Sequence, residues 1–361
     1  MRQRKSKTMK RILIPLLLFC FLCGFNFPAC ADAPSRDVTF ISTSDLHYRE
    51  PGHAGGDHND LNRASVEEIN RIAGTAWPDQ LGGDKISKPR GVLVLGDVID
   101  DGDRGANGHS ISAEQYDLFV ADFGLDGTDG VLKYPVFEGW GNHDGPPEGS
   151  EKNGFSFQAH LKKRNQIRLK KGLISNVSSN GLHYSWDWDD VHFVQLNIYP
   201  ADQQREGVHY SPVWHNPQGA LSFLKEDLAT KVGRSGRPVV LMSHCGFDTD
   251  WWTQEDWADL YAAASAYNIV LYLYGHSGTG LREWAPPGET NKWTCINDGQ
   301  LEKGFFVIQL GAHRLRAAMR VKAGLSYAKT AGEVTHEWAG KWEWKWLLDK
   351  PITELSPARR P

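Results

Sequence analysis

The chain is poor in cysteine, in excess positive charge and in long apolar runs, and each shortage closes a class of function. Five cysteines occur in 361 residues, and three of them, Cys20, Cys23 and Cys30, fall within the first thirty positions. Only Cys245 and Cys295 remain for the body of the chain, so a disulfide-dense scaffold is excluded and one bridge at most is available. Lysine and arginine number 40 against 44 acidic residues, a net charge of −4 with no evident basic stripe. That balance argues against a general nucleic-acid binder, which needs a basic surface to displace counterions. Beyond residue 23 no apolar run approaches a membrane span. There is no internal repeat and no low-complexity tract. A hydrophobic content of 40% with 23% charged residues is ordinary for a globular chain of one large domain or two small ones.

The amino terminus reads as a targeting segment. Arg2, Arg4, Lys5, Lys7, Lys10 and Arg11 precede an apolar stretch from Ile12 to Cys23, and Ala29-Cys30-Ala31 is a small-x-small cleavage site. Residues 1–31 are therefore expected to be a signal peptide, and the mature protein to be secreted or periplasmic. A retained anchor helix and lipidation at Cys30 are the lesser alternatives. Loss of six basic and no acidic side chains leaves the mature chain at −10. An exported compartment permits a Cys245–Cys295 bridge that would staple two loops, and two buried thiols are the alternative. Residues 32–325 are expected to form the main domain. Residues 326–361 are a tryptophan-rich extension packing on it.

What the chain does have is a series of apolar, β-rich runs, each followed closely by metal-ligating residue types. Val38-Thr39-Phe40-Ile41 precedes Asp45-Leu46-His47. Val92-Leu93-Val94-Leu95 precedes Gly96-Asp97-Val98-Ile99-Asp100. Tyr134-Pro135-Val136-Phe137 precedes Gly141-Asn142-His143-Asp144. Val239-Val240-Leu241-Met242 precedes Ser243-His244-Cys245, and Val270-Leu271-Tyr272-Leu273-Tyr274 precedes Gly275-His276. Layered α/β proteins place ligands just past the carboxyl ends of their strands, where a rigid sheet fixes the loops. Any one of these groups alone reads as a turn cap or a structural histidine; five in order do not.

Helices are expected over residues 64–73, 113–123, 155–163, 221–231 and 254–266, the last with Thr253 as N-cap. A hairpin is expected over residues 182–188 and 191–197 around Asp189-Asp190, with Tyr184, Trp186 and Trp188 on one face. A second antiparallel pair spans residues 305–310 and 314–321. Long loops at 48–62 and 101–111 signal function or mobility.

Aspartate, asparagine and histidine suit Mn, Fe or Zn ions. Two such ions about 3.5–4 Å apart hold a phosphate and activate a water for in-line attack. The blocks resemble those of the calcineurin-like metallophosphoesterases, D-x-H, G-D-x-x-D, G-N-H-D/E, H and G-H-x-H, over residues 38–322. The resemblance implies two packed mixed β-sheets flanked by helices, a four-layer α/β sandwich. It implies that Asp45 and His47 bind a first metal, that Asp97 bridges, and that Asn142, His244 and His276 bind a second. It implies that His143 is the catalytic imidazole, with Asp100 as the partner that orients it. The chain departs from the pattern at Gly278, where the family motif has a histidine on the first metal. One or two divalent ions (Mn, Fe, Zn or Ca) are therefore expected, the first held by Asp45, His47 and Asp97. His53, Asp57, His58 and Asp60 are candidates for a substitute ligand.

The expected activity is a metal-dependent phosphoesterase on a small-molecule or lipid phosphoester. Diesters are favoured, including phospholipase C-like cleavage of inositol lipids; a phosphomonoesterase and a non-catalytic phosphate or metal binder are the alternatives. Trp251, Trp252 and Trp257 lie between His244 and His276, and the first two are expected at the site rim. Trp342, Trp344 and Trp346 alternate at strand spacing and are expected on one face, packed in the core or turned to a membrane interface. Peripheral membrane contact is thus an open expectation, and no nucleic-acid partner is expected.

Overall fold

The computed structural model describes residues 36–56, 58–206, 208, 214–247, 251–330 and 333–352. The expected signal at 1–31, Asp57 and residues 353–361 lie outside the described residues. Two mixed sheets form the body. The first has six strands in the order Trp342–Pro351, Arg314–Lys322, Gly304–Gly311, Asp37–Thr43, Val92–Val94, Val136–Glu138. The second has seven, in the order Thr279–Trp284, Trp293–Asp298, Asn268–Tyr274, Pro238–Met242, Val191–Gln195, Tyr184–Trp188, Asn176–Val177.

Period-two alternation builds the layers. Val38, Phe40, Leu93, Leu95 and Phe306 of the first sheet share one buried cluster with Trp186, Phe193, Val240, Met242, Leu271 and Leu273 of the second. The intervening residues Ile41, Val92, Val94, Val239, Leu241, Tyr272 and Tyr274 point the other way, into a cluster closed by helices. The result is the expected four-layer sandwich. The hairpin forms over Tyr184–Trp188 and Val191–Gln195, with Asp189 at φ 53° in its turn. The Trp186 ring stacks on Phe137 at 4.4 Å and on Phe193 at 5.2 Å between the sheets.

The helices are Asn59–Arg71, Ile111–Phe123, Phe157–Lys171, Ala220–Asp227 and Gln254–Ala264. Thr253 caps the last in a reciprocal box with Asp256. The third runs well past the expected end at 163. Beyond Leu161 its buried face is Arg164, Asn165 and Arg168, and the two arginines clamp the buried Glu138 carboxylate. Hydrophobic periodicity cannot register a face made of guanidinium groups.

The carboxyl-terminal tryptophans depart from expectation. Trp342–Pro351 is the edge strand of the six-stranded sheet, paired with Arg314–Lys322. Trp344 stacks on Trp77 at 6.4 Å, and Trp342 packs against Phe305 and carries the Lys322 ammonium 4.5 Å above its ring. The register shifts between Met319 and Ala317, opposite Lys345 and Leu348, and Trp346 adopts φ 51°. A bulge therefore breaks the alternation and turns Trp346 out, 47% exposed. Cys245 and Cys295 are both buried and are not bridged to each other. No described helix is long and apolar enough to cross a membrane.

A buried polar knot ties Ala220–Asp227 to the seven-stranded sheet. His192 sits between Asp187 and Asp227 at 2.6 Å from each, and Ser185 and Asn176 also donate to Asp227. Burial lowers the His192 imidazole, but the two carboxylates outweigh burial and raise it. A folded pKa above the unfolded value of 6.5 supplies stability that is complete below pH 6.5 and is lost as pH rises through the folded value. Asp227→Asn is expected to lower unfolding free energy by about 2 kcal/mol at pH 6 and to flatten this dependence. Urea unfolding at pH 6 and pH 9 checks it, and an unchanged slope would refute the coupling.

Candidate metal centre

The loops that follow Asp37–Thr43, Val92–Val94, Val136–Glu138, Pro238–Met242 and Asn268–Tyr274 meet at one edge of the sandwich. They bring together all six sequence-predicted ligand residues. Asp45, Asp97 and His244 are buried, and their ligand atoms lie within 4.8 Å of one another. Asp97 stands at the middle. Its Oδ2 is 3.2 Å from His244 Nε2 and 3.8 Å from His47 Nε2, and Asp45 Oδ1 is 3.8 Å from the same His47 nitrogen. Asn142 Oδ1 lies 3.0 Å from His244 Nε2. The His276 amide donates to Asp45 Oδ2 at 2.9 Å, which joins the two corners, and its ring lies 5.1 Å from that of His244.

The backbone is unusual at these positions. Asp45, His47, Asp97 and His276 have φ of 50°, 45°, 50° and 67°, a left-handed conformation that costs non-glycine residues energy and collects at functional sites. The motif glycines have a second physical reason. A β-carbon on Gly141 would stand 2.2 Å from Asp97 Oδ1, and one on Gly275 would stand 1.9 Å from Ser44 Oγ and 2.6 Å from Asp45 Oδ2. The chain passes too close to the carboxylates for any side chain at either place.

The donor set fits divalent metal. His244 and His47 each turn Nε2 toward the carboxylates, and His244 anchors its opposite nitrogen. His244 Nδ1 donates to the Leu95 carbonyl at 2.8 Å, and His47 Nδ1 faces Asp100 Oδ1 at 2.9 Å. Metal-bound histidines carry such a partner on the far ring nitrogen. Burial raises the Asp97 carboxyl, but the His244 imidazole outweighs burial and holds it well below the usual carboxylate range. The same pair lifts His244 to about 9 against burial. Burial and the neighbouring His244 lower His276 to about 4, leaving it neutral and able to ligate. Asp45, His47 and Asp97 would hold one ion, and Asp97, Asn142, His244 and His276 the other.

Asp100 requires a correction. Its carboxylate does not orient His143; it lies against His47, Arg49 at 3.0 Å and His53 at 3.4 Å. The Asp100 backbone carbonyl instead accepts from His143 Nδ1 at 2.7 Å, and the His143 amide donates to Asp97 Oδ1 at 2.8 Å. His143 is therefore oriented by main chain, with Nδ1 occupied and Nε2 left for chemistry. Among the described residues, the proposed substitutes His53, His58 and Asp60 have other partners. His53 reaches Asp100 and Asp101, and His58 faces His336, which also binds Asp60. Gly278 itself has φ 122°, with open space where a β-carbon would be.

Sequence reasoning missed Asp144. Its buried carboxylate accepts from the Val98, Ile99 and Gly141 amides at 2.8, 3.0 and 2.7 Å, locking the Asp97 loop to the Asn142-His143 loop. Burial and the nearby Asp97 raise it to about 8 while the Gly141 and Ile99 amides pull the other way. The signal was its place as fourth residue of the Gly141 block. Lys303 and Gln300 were also missed; with Ser277, Gly278 and Thr279 they complete a cleft of about 420 Å³ around Asp45, His47, Asp97, His143 and His276. Of the expected rim residues, Trp251 packs edge-on to His276 at 4.3 Å but is buried, and Trp252 is core, its indole donating to the Gly246 carbonyl.

The chain matches the family model of the calcineurin-like phosphoesterases over residues 38–279. No curated protein matches it. Among solved structures it is similar to PhoD, at 13% identity over 90% of this chain and 73% of that one, with a TM-score of 0.47. It is similar to GAP50, the anchor in the inner membrane complex of Plasmodium, at 11% identity over 82% and 91% of the two chains, TM-score 0.43. It is also similar to the purple acid phosphatase PPD1 from yellow lupin (Lupinus luteus) seeds, at 14% identity over 80% and 52%, TM-score 0.45.

If Asp144 sets the spacing of the two loops, Asp144→Asn, which turns one acceptor into a donor against amides, is expected to weaken metal binding by about 10–100-fold while the far-ultraviolet spectrum is kept. Metal titration by calorimetry checks this; wild-type affinity would show the loops to be held without it.

Proposed function

Since the chain belongs to the calcineurin-like phosphoesterase family of metal-dependent phosphoric ester hydrolases, we propose that it cleaves phosphodiesters, with inositol phospholipid-type substrates foremost. The observation that carries this reading is the Asp97 carboxylate set between the Nε2 atoms of His244 and His47 on the floor of an open cleft. Bound divalent ions would supply Lewis-acid stabilisation of a phosphoryl group there. The remaining chemistry belongs to the chain. His143, with Nδ1 donated to a carbonyl, presents Nε2 to donate to a phosphoryl oxygen or to protonate the leaving oxygen. Lys303 is the ammonium of the cleft and draws the phosphate charge toward it.

Gly278 supports diesters over monoesters. With no side chain there, the first corner keeps Asp45, His47 and Asp97 from protein, and the cleft stays open beside them. A diester that carries a neighbouring hydroxyl brings its own nucleophile, so it depends less on a fully held first ion. Its other substituent needs room that a monoester does not. Residues 1–31 are read as the export signal, which would deliver the enzyme to substrates outside the cytoplasm.

Asp97→Ala is expected to abolish metal binding and hydrolysis of bis-p-nitrophenyl phosphate with the fold retained; undiminished turnover would reject the assignment. His143→Ala should lower kcat by about 10²–10⁴-fold at unchanged metal content, and a parallel loss of metal would make the residue structural instead. Release of a cyclic phosphate from an inositol phosphodiester is expected, whereas turnover confined to soluble monoesters reverses the diester reading. Because φ at position 278 suits glycine, Gly278→His is expected to cost about 1–3 kcal/mol without adding metal. A higher metal count by elemental analysis would show that the corner was one donor short.

A further inference from the structure

Two smaller hollows adjoin the metal cleft, and Lys303 lines all three. One, of about 260 Å³, is bounded by Asp45 and His47 together with Arg49, His58, Glu302 and Tyr327. The other, of about 240 Å³, shares Thr279 and Lys303 with the cleft and continues over Leu325, Tyr327, Lys345 and Trp346. The cleft therefore does not end at the metal corner. It runs on, past a lysine, to a wall supplied by the carboxyl-terminal part of the chain.

That wall has the wrong chemistry for plain solvent. Four large hydrophobic side chains are exposed among the described residues, and two of them, Tyr327 and Trp346, border this one hollow. The other two, Ile167 and Leu169, lie on the Phe157–Lys171 helix. Trp346 is exposed because the strand bulges, and the backbone holds it at φ 51°, a conformation bulky residues rarely adopt. Three lysines line the hollow; Lys322 is buried and donates to Ser65, and the other two are available to an anion. Lys303 Nζ donates to the neutral Gln300 amide at 2.5 Å, and Lys345 pairs with Glu343 at 2.8 Å across a half-exposed surface contact that contributes little. The Glu302 carboxylate on the neighbouring wall accepts the Tyr327 hydroxyl at 2.7 Å.

We propose that the hollow bounded by Leu325, Tyr327, Lys345 and Trp346 is a subsite for the non-reacting apolar substituent of an amphiphilic phosphodiester, an alkyl or acyl chain, with Lys303 at the junction where the phosphate enters the cleft. This rests on the phosphodiester reading. Contact with a remote, non-reacting part of a substrate can be used to raise kcat/KM. An aromatic pair beside a lysine stem suits a chain whose other end is charged.

The test compares octyl p-nitrophenyl phosphate with methyl p-nitrophenyl phosphate, both monomeric, in the metal-loaded full chain. The wild type is expected to favour the octyl diester by about tenfold or more in kcat/KM. Trp346→Ala should remove most of that preference, and Trp346→Phe should keep most of it. Absence of a preference in the wild type, or its full retention in Trp346→Ala, overturns the subsite. Flotation with phosphatidylcholine–phosphatidylglycerol vesicles separates the two sources of such a chain. Vesicle binding that depends on Trp346 while the octyl preference does not would mean a membrane-seating surface, and would overturn the subsite. If neither diester is hydrolysed, equilibrium dialysis of monomeric dihexanoyl-phosphatidylglycerol decides. Binding lost in Trp346→Ala supports the subsite and leaves the phosphodiester reading to fail alone; no binding to the wild type overturns both.

Discussion

The centre depends on one buried charge. Asp97 is a carboxylate with 1% exposure, set between two imidazoles and beside a second buried aspartate. Taking such a charge out of water costs several kcal/mol unless positive charge and hydrogen bonds replace the lost solvent. Its neighbours supply part of this. The His143 amide donates to one oxygen, and His244 Nε2 lies against the other. The two carboxylates share the His244 and His47 imidazoles, both raised so that they carry the balancing charge, a role that divalent cations would take over.

Holding that charge in place shapes the surrounding chain. The loops come from both sheets, so the two halves of the centre are positioned by the packing of Phe40, Phe193, Val240 and Leu271 between them. Within the loops, several donors occupy left-handed backbone, and glycines pass within contact of the carboxylates. Strain of this kind persists only where surrounding structure over-determines it. The triple amide clamp of Asp144 is one such determinant, since it fastens the loop of Asp97 to the loop of Asn142 and His143. The stability of the sandwich and the geometry of the centre are therefore one problem.

The donors were legible because each follows an apolar run that can only be a buried strand, and strand ends converge. The sandwich was legible for the same reason, from alternation such as Val38-Phe40 against Ile41. Less could be read where function depends on loop path. That Asp100 orients His143 through its carbonyl, while its carboxylate serves His47, is decided by a peptide orientation that no residue type announces. The half of the third helix beyond residue 163 escaped a reading based on apolar period, because Arg164 and Arg168 are buried by pairing rather than by hydrophobicity. Trp346 escaped for a third reason: one extra residue in a bulge reverses the face of everything around it. The positions of Cys245 and Cys295 beside two site loops suggested a staple, and the chain instead buries both as thiols.

Gly278 shows how far a motif departure can be read. Taken as letters, it is a missing ligand, and the obvious remedy is to search for a replacement nearby. The described candidates in the loop after His47 have partners elsewhere, His53 in Asp100 and Asp101, His58 in His336. More telling is the backbone, because φ of 122° is a conformation in which L-residues are strained whatever room they have. The loop takes a path that suits glycine, so the departure lies in the course of the chain and not only in one side chain. That path leaves the first corner open where Thr279 and Lys303 lead out toward the carboxyl-terminal wall. An absent donor and an added opening are then the same structural change.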